Sequence, residues 1–193
     1  YPELLKANVE ELSQENIHFI YPHLAIDRRK DFANRIYNIL WNQYPDLSLG
    51  EVRRAAKKAY TFYDQWMADI KAEGARAIDY AREHGHQIVV LSGRPYHIDP
   101  EINHGIDGLI ASFGLVVVTE DAVAHLGQKK PVQVLNQWTY HSRLYAAAEY
   151  VTTQPDMQLV QLVSFGCGID AITTDEVRAI LERGGKLYTQ LKI

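Results

Sequence analysis

The rhythm of hydrophobic and polar positions changes near residue 87 of this 193-residue chain. Before that point the dominant signal has helical spacing. Phe32, Ile36, Ile39 and Leu40 recur three to four apart and predict a helix over residues 28–44, stopped by Pro45. Ser48-Leu49-Gly50-Glu51 is a capping-box pattern, with serine and glutamate three apart. It opens a long stripe through Val52, Ala55, Ala56, Ala59, Tyr60, Tyr63, Trp66, Met67 and Ile70, with Arg53, Arg54, Lys57 and Lys58 on the other face. The pattern extends toward Gly85, with a break or kink expected at Gly74. The short run Ile17-His18-Phe19-Ile20, closed by Tyr21-Pro22, reads as a strand.

After residue 87 the apolar runs become short and continuous. Ile88-Val89-Val90-Leu91, Leu115-Val116-Val117-Val118, residues 159–164 and residues 186–191 read as strands, the first three buried on both faces. Asp99-Pro100 predicts a helix start, carried on by Ile102, Ile106, Leu109 and Ile110 to Phe113-Gly114. Residues 140–151 predict the next helix. Thr173-Thr174-Asp175-Glu176 reads as the cap of the last one, which Arg183-Gly184-Gly185 closes. Strands alternating with helices indicate an α/β fold, a three-layer domain with a mostly parallel sheet, joined to a long helical arm. The expected organisation is residues 1–86 as an N-terminal strand and helical arm or subdomain, and residues 87–193 as the parallel lobe. Both ends read as cuts from a larger protein.

Composition narrows the function classes. A net charge of −4 argues against a nucleic-acid surface. No apolar stretch reaches the roughly 20 residues of a membrane helix, no signal-peptide pattern opens the chain, and a cytoplasmic location is expected. One cysteine excludes an internal disulfide and a self-contained iron–sulfur site. The chain carries neither a Gly-x-Gly-x-x-Gly fingerprint nor a Gly-Lys-Ser/Thr phosphate loop.

In parallel sheets ligands collect beyond the carboxyl ends of the strands. Three loops fall there: residues 92–99, Thr119-Glu120-Asp121, and Phe165-Gly166-Cys167-Gly168-Ile169-Asp170. The first carries Arg94, Tyr96, His97 and Asp99. Arginine offers a planar donor fork for a carboxylate or phosphate. Asp99 reads as a helix cap more readily than as a site residue, Tyr96 as packing, and Arg94 as the partner of a nearby acid as readily as of an external anion. Cys167, between Gly166 and Gly168 at a strand-to-helix turn, is placed to become a thiolate beside helix amides, or to be a small buried side chain. Asp121, Asp170 and His141 complete the candidate cleft, with His97 or His141 as a base if folding brings either near Cys167. The eight histidines form no metal-ligand spacing.

Two of these loops resemble a known family. Gly93-Arg94-Pro95-Tyr96-His97-Ile98-Asp99-Pro100 with Asn103, Gly105 and Ile106, together with the residue 165–170 loop, is similar to characteristic stretches of the large proteins related to the activator of (R)-2-hydroxyglutaryl-CoA dehydratase. The resemblance implies a region like the 2-hydroxyacyl-CoA dehydratase subunits, whose iron–sulfur cluster takes cysteines from several loops. It implies that Cys167, flanked by Gly166 and Gly168, is a cluster ligand in the full-length protein. The isolated chain would hold no cofactor, and further ligands would come from outside it. The expected partners are flanking domains of the parent protein and an acyl-CoA or other anionic ligand. The isolated chain is not expected to be a complete enzyme. The alternative is a binding or scaffold domain that organises partner domains through its long helix, and a hydrolase using Cys167 is a third, lesser reading.

Overall fold

The computed structural model describes residues 1–193 apart from Glu15, Lys129 and Phe165. Phe165 of the second motif and Lys129 of the long polar loop therefore lie outside the described residues. The chain divides into two compact units, Tyr1–Gln65 and Trp66–Ile193.

The first unit contains α1 (Pro2–Asn8), a 3₁₀ turn at Glu10–Ser13, α2 (Arg29–Leu40) and the start of α3 (Leu49–His84). The capping box forms as the spacing predicts. The Ser48 amide donates to Glu51 Oε2 at 2.9 Å, and the Glu51 amide donates to Ser48 Oγ at 3.2 Å. These bonds satisfy amide donors that the first helical turn leaves unpaired. The predicted strand at Ile17-His18-Phe19-Ile20 does not form. It pairs with no other strand, and Ile17 and Ile20 remain exposed. A strand exists only through inter-strand hydrogen bonds, which a short apolar run cannot supply by itself.

In α3 the expected break at Gly74 is absent, and the helix spans 36 residues without interruption. Gly74 serves packing instead: a Cβ there would collide with the side chain of Ala122.

The remaining elements are β1 (Ile88–Ser92), a 3₁₀ turn (Pro95–Ile98), α4 (Pro100–Asn103), α5 (Ile106–Ser112), β2 (Val116–Thr119), α6 (Glu120–Val123), a second 3₁₀ turn (Ala124–Leu126), α7 (Thr139–Thr152), β3 (Met157–Val163), α8 (Gly168–Arg183) and β4 (Tyr188–Lys192). The strands form one parallel sheet in the order β2-β1-β3-β4. This is the α/β architecture the alternation of elements predicted. Three local expectations need correction. The helix expected over residues 100–113 is broken, because His104 and Gly105 both take left-handed backbone conformations. Asp121 lies within a one-turn helix rather than an open loop. Thr173–Glu176 is interior to α8, which starts at Gly168 with Cys167 as its N-cap residue.

Alternate residues of β1 serve opposite faces. Ile88 and Val90 join Val118, Met157 and Leu159 against Ile78 of α3, Leu144 and Val151 of α7, and Val177 and Ile180 of α8. Val89 and Leu91 face the other way with Leu162, against Ile110 of α5. All five β1 residues are buried, as a central strand with neighbours on both edges requires. Each fully buried aliphatic side chain contributes about 1.5–3 kcal/mol of transfer free energy. Among the described residues, no helix is long and apolar enough to cross a membrane.

Candidate functional site

The strand order fixes where a cleft can lie. From β1 the chain moves to one side to make β2, then returns past β1 to make β3 on the other side. Loops leaving β1 and β3 therefore diverge, which opens a crevice beyond their carboxyl ends. Ser92 pairs in register with Gln161, so these two strands end side by side. Both motif loops emerge there.

Arg94, on the β1 side, reaches across to the β3–α8 turn. Its Nε donates to Asp170 Oδ1 at 2.9 Å, and its Nη2 contacts Cys167 Sγ. Asp170 is buried, and its second oxygen accepts the Ser164 amide at 2.8 Å. One carboxylate thus joins the end of β3, the first turn of α8 and the β1 loop. Burial alone would lower the Arg94 pKa, but the Asp170 bond and charge outweigh it and raise it. The guanidinium fork, which the sequence left open to an external anion or to a nearby acid of the chain, is taken up by Asp170 and Cys167.

Cys167 is half-buried and is the N-cap residue of α8. Its thiol pKa is lowered, first by the Asp170 amide and then, against partial burial, by the Ile169 amide, while the Arg94 charge offsets that of Asp170. The amides at the start of a helix favour a thiolate in this position. Gly166, just before, has φ +71°, a conformation that side chains with a Cβ rarely adopt.

His97 is fully buried and its hydrogen bonds define its tautomer. Nδ1 accepts the Arg94 amide at 3.0 Å, so the neutral ring carries its proton on Nε2, which lies 2.9 Å from Ser164 Oγ and donates to it. Burial lowers its pKa, with the Arg94 charge acting in the same direction. The lone pair of His97 is engaged by a backbone amide, so it is not a base for Ser164 or Cys167. Tyr96 Oη also meets Ser164 Oγ, at 3.1 Å, and the Tyr96 ring packs edge-on against His97. Gly93 makes this arrangement possible, since a Cβ there would lie 2.6 Å from His97 Nδ1.

His141 is buried between the rings of Trp138 and Tyr140. Burial, and then the charge of Arg94, lower its pKa. Asp99 and Asp121 stand apart from this bonded cluster. Asp99 caps α4 by accepting the Glu101 amide at 2.9 Å, and Asp121 accepts the Thr119 hydroxyl. Beside Cys167 a cavity of about 400 Å³ is lined by Ser164, Cys167 and Asp170, with Gln190 and Lys192 of β4 opposite.

Sequence reasoning missed Ser164, which takes part in three of these contacts, two at its hydroxyl and one as the amide donor to Asp170. Its signal was a hydroxyl at the carboxyl end of an apolar strand run. It also missed Glu120 beside Asp121. Glu120 is buried, and burial pushes its carboxyl up to about 7 despite Arg143 at 2.8 Å.

Among the described residues, no three His, Cys, Asp or Glu side chains converge to hold a metal ion. The donor set fits one thiolate ligand and no complete metal centre.

The family model described as the CoA enzyme activase uncharacterised domain (DUF2229) matches residues 1–123. The chain belongs to this family. The match takes in the whole Arg94–Asp99 loop, while His141, Cys167 and Asp170 lie beyond it. No curated protein and no solved structure matches the chain.

Proposed function

We propose that this chain is the α/β lobe of a CoA-substrate-specific enzyme activase-related protein, in which Cys167 supplies one thiolate to an iron–sulfur or electron-transfer site shared with sequence outside the lobe. The observation that carries this reading is the setting of Cys167. Its sulfur borders a cavity at the carboxyl ends of β3 and β4, and it receives donors from Arg94 and the first amides of α8. Donors aimed at sulfur stabilise negative charge there, the state a metal-ligating cysteine must reach. Arg94, Asp170 and Ser164 orient the turn, and His97, held neutral, locks the β1 loop onto it. The incomplete ligand set requires flanking domains of the parent protein as partners. The cavity is the place for an acyl-CoA or other anionic ligand, with Lys192 on its wall. Such chemistry suits the reducing cytoplasm.

The test is anaerobic cluster reconstitution of the longer parent protein, with iron and sulfide measured in the native form and in Cys167→Ala. Loss of iron and sulfide is expected in the variant. Unchanged content would remove Cys167 from the ligand set.

A further inference from the structure

Within the first unit, the side-chain bonds of the N-terminal half of α3 to other described elements lie on one side of the helix. On that side, Arg53 Nη2 donates to Asn34 Oδ1 at 3.0 Å, Tyr60 Oη donates to the Ile26 carbonyl at 2.6 Å, and Asp64 pairs with Arg29. On the other side, Arg54, Lys57, Lys58, Thr61 and Phe62 follow one another three, four, seven and eight residues along, so they share one face of the helix. Phe62 is 76% exposed. Arg54, Lys57 and Lys58 take part in no ion pair among the described residues, although Glu51 lies near enough to Arg54 to feel its charge.

Three cations outside any ion pair among the described residues, around a solvent-exposed phenylalanine, constitute a recognition pattern that this chain does not itself use. Aromatic and arginine side chains are the commonest anchors of protein interfaces, and complementary charge around them sets the partner and its register. We propose that this stripe is the docking face for an acidic amphipathic helix of a partner protein, whose apolar residue covers Phe62 and whose carboxylates meet Arg54, Lys57 and Lys58.

Shape and charge select that occupant. The stripe forms only a wide, open depression between Arg54, Lys57, Lys58, Thr61 and Phe62 and runs about 12 Å from Arg54 to Phe62 at 1.5 Å per residue, whereas small ligands need concave sites that enclose most of their surface. Three cations on a chain of net charge −4 make a poor surface for a polyanion, whose binding depends on neutralising many phosphates. A single helix carrying carboxylates at matching spacing satisfies all three cations with no such requirement. The proposal is independent of Cys167 and of any cluster.

The test titrates the 193-residue chain into a fluorescein-labelled peptide followed by anisotropy. The peptide is an amphipathic helix of about 18 residues, with leucines on one stripe flanked by glutamates. One copy carries glutamines in place of the glutamates, and another carries lysines. The acidic peptide is expected to bind at least about tenfold more tightly than the glutamine copy, with Phe62→Ala weakening it by about tenfold. The double variant Lys57→Glu, Lys58→Glu should reverse the preference toward the lysine copy, a gain of binding that misfolding cannot mimic. Equal affinity for the acidic and glutamine copies, no loss in Phe62→Ala, or no reversal in the double variant would each overturn the proposal. So would tighter binding of duplex DNA, or of phosphatidylserine-containing vesicles, than of the acidic peptide. A dimer by light scattering that Phe62→Ala dissolves would assign the face to a second copy and likewise overturn it.

Discussion

Replacing Asp170 by asparagine separates the two roles of this carboxylate. In the native structure Oδ1 accepts Arg94 Nε at 2.9 Å and Oδ2 accepts the Ser164 amide at 2.8 Å. Asparagine offers one oxygen and one NH₂ group. Whichever way it lies, an N–H faces another N–H donor. Loss of one hydrogen bond to a charged group costs about 1.5–3 kcal/mol, and the surviving bond loses its ionic partner. Arg94 and Asp170 are 18% and 8% exposed, so water compensates only in part. The expected loss is about 3 kcal/mol of unfolding free energy, a large share of the roughly 5–15 kcal/mol of a typical domain. The thiol responds in the opposite sense to a simple disruption. The Asp170 charge raises the Cys167 pKa, whereas its backbone amide, which the substitution leaves in place, lowers it. Asp170→Asn should therefore lower the thiol pKa further while weakening the fold. Urea unfolding by circular dichroism reads the first effect, and the pH dependence of iodoacetamide alkylation reads the second. A stability loss below about 1 kcal/mol, or an alkylation midpoint that stays or rises, would refute this account of the Arg94–Asp170–Cys167 cluster.

Other perturbations address the same region. His97 has its pKa lowered by burial, so below about 6.5 the unfolded chain binds the proton more readily; stability should fall as the pH drops through that range, and His97→Gln should flatten the urea-midpoint profile there. Glu120 titrates in the other direction, because its folded pKa of about 7 lies above the ordinary 4.5. Its contribution is complete below 4.5 and is lost as the pH rises through about 7, so Glu120→Gln should reduce the decline in thermal midpoint on the alkaline side. Gly93→Ala places a methyl group 2.6 Å from His97 Nδ1 and should cost about 1–3 kcal/mol while shifting the His97 imidazole resonances in an NMR spectrum; native-like stability and an unmoved spectrum would count against the packing argument.

The fold was legible where local pattern and burial coincide. Ile88-Val89-Val90-Leu91 announced a central strand because both of its faces are covered, and Ser48-Glu51 announced the start of α3 because a capping box acts within four residues. Ile17-His18-Phe19-Ile20 misled because its apolar character has no sheet to join. Gly74 suggested a weak point in α3, yet it marks a close approach to Ala122, a contact 48 positions away in sequence that no periodicity encodes. Within the candidate site, Arg94, His97, Cys167 and Asp170 stood out as unusual residues in loops at strand ends. Ser164 did not, since a serine closing a strand is ordinary until its neighbours are known.

By itself the sequence determined the four strands of the sheet, the longer helices, the α/β class and the two loops that carry the candidate residues, all of which depend on spacing over a few residues. The tertiary structure alone decided that Arg94 meets Asp170 across 76 positions of chain and that the His97 ring meets Ser164 across 67. Those outcomes follow from the strand order β2-β1-β3-β4. Strand order reflects packing summed over the whole core and its connections, and side-chain periodicity within any one segment contains no record of it.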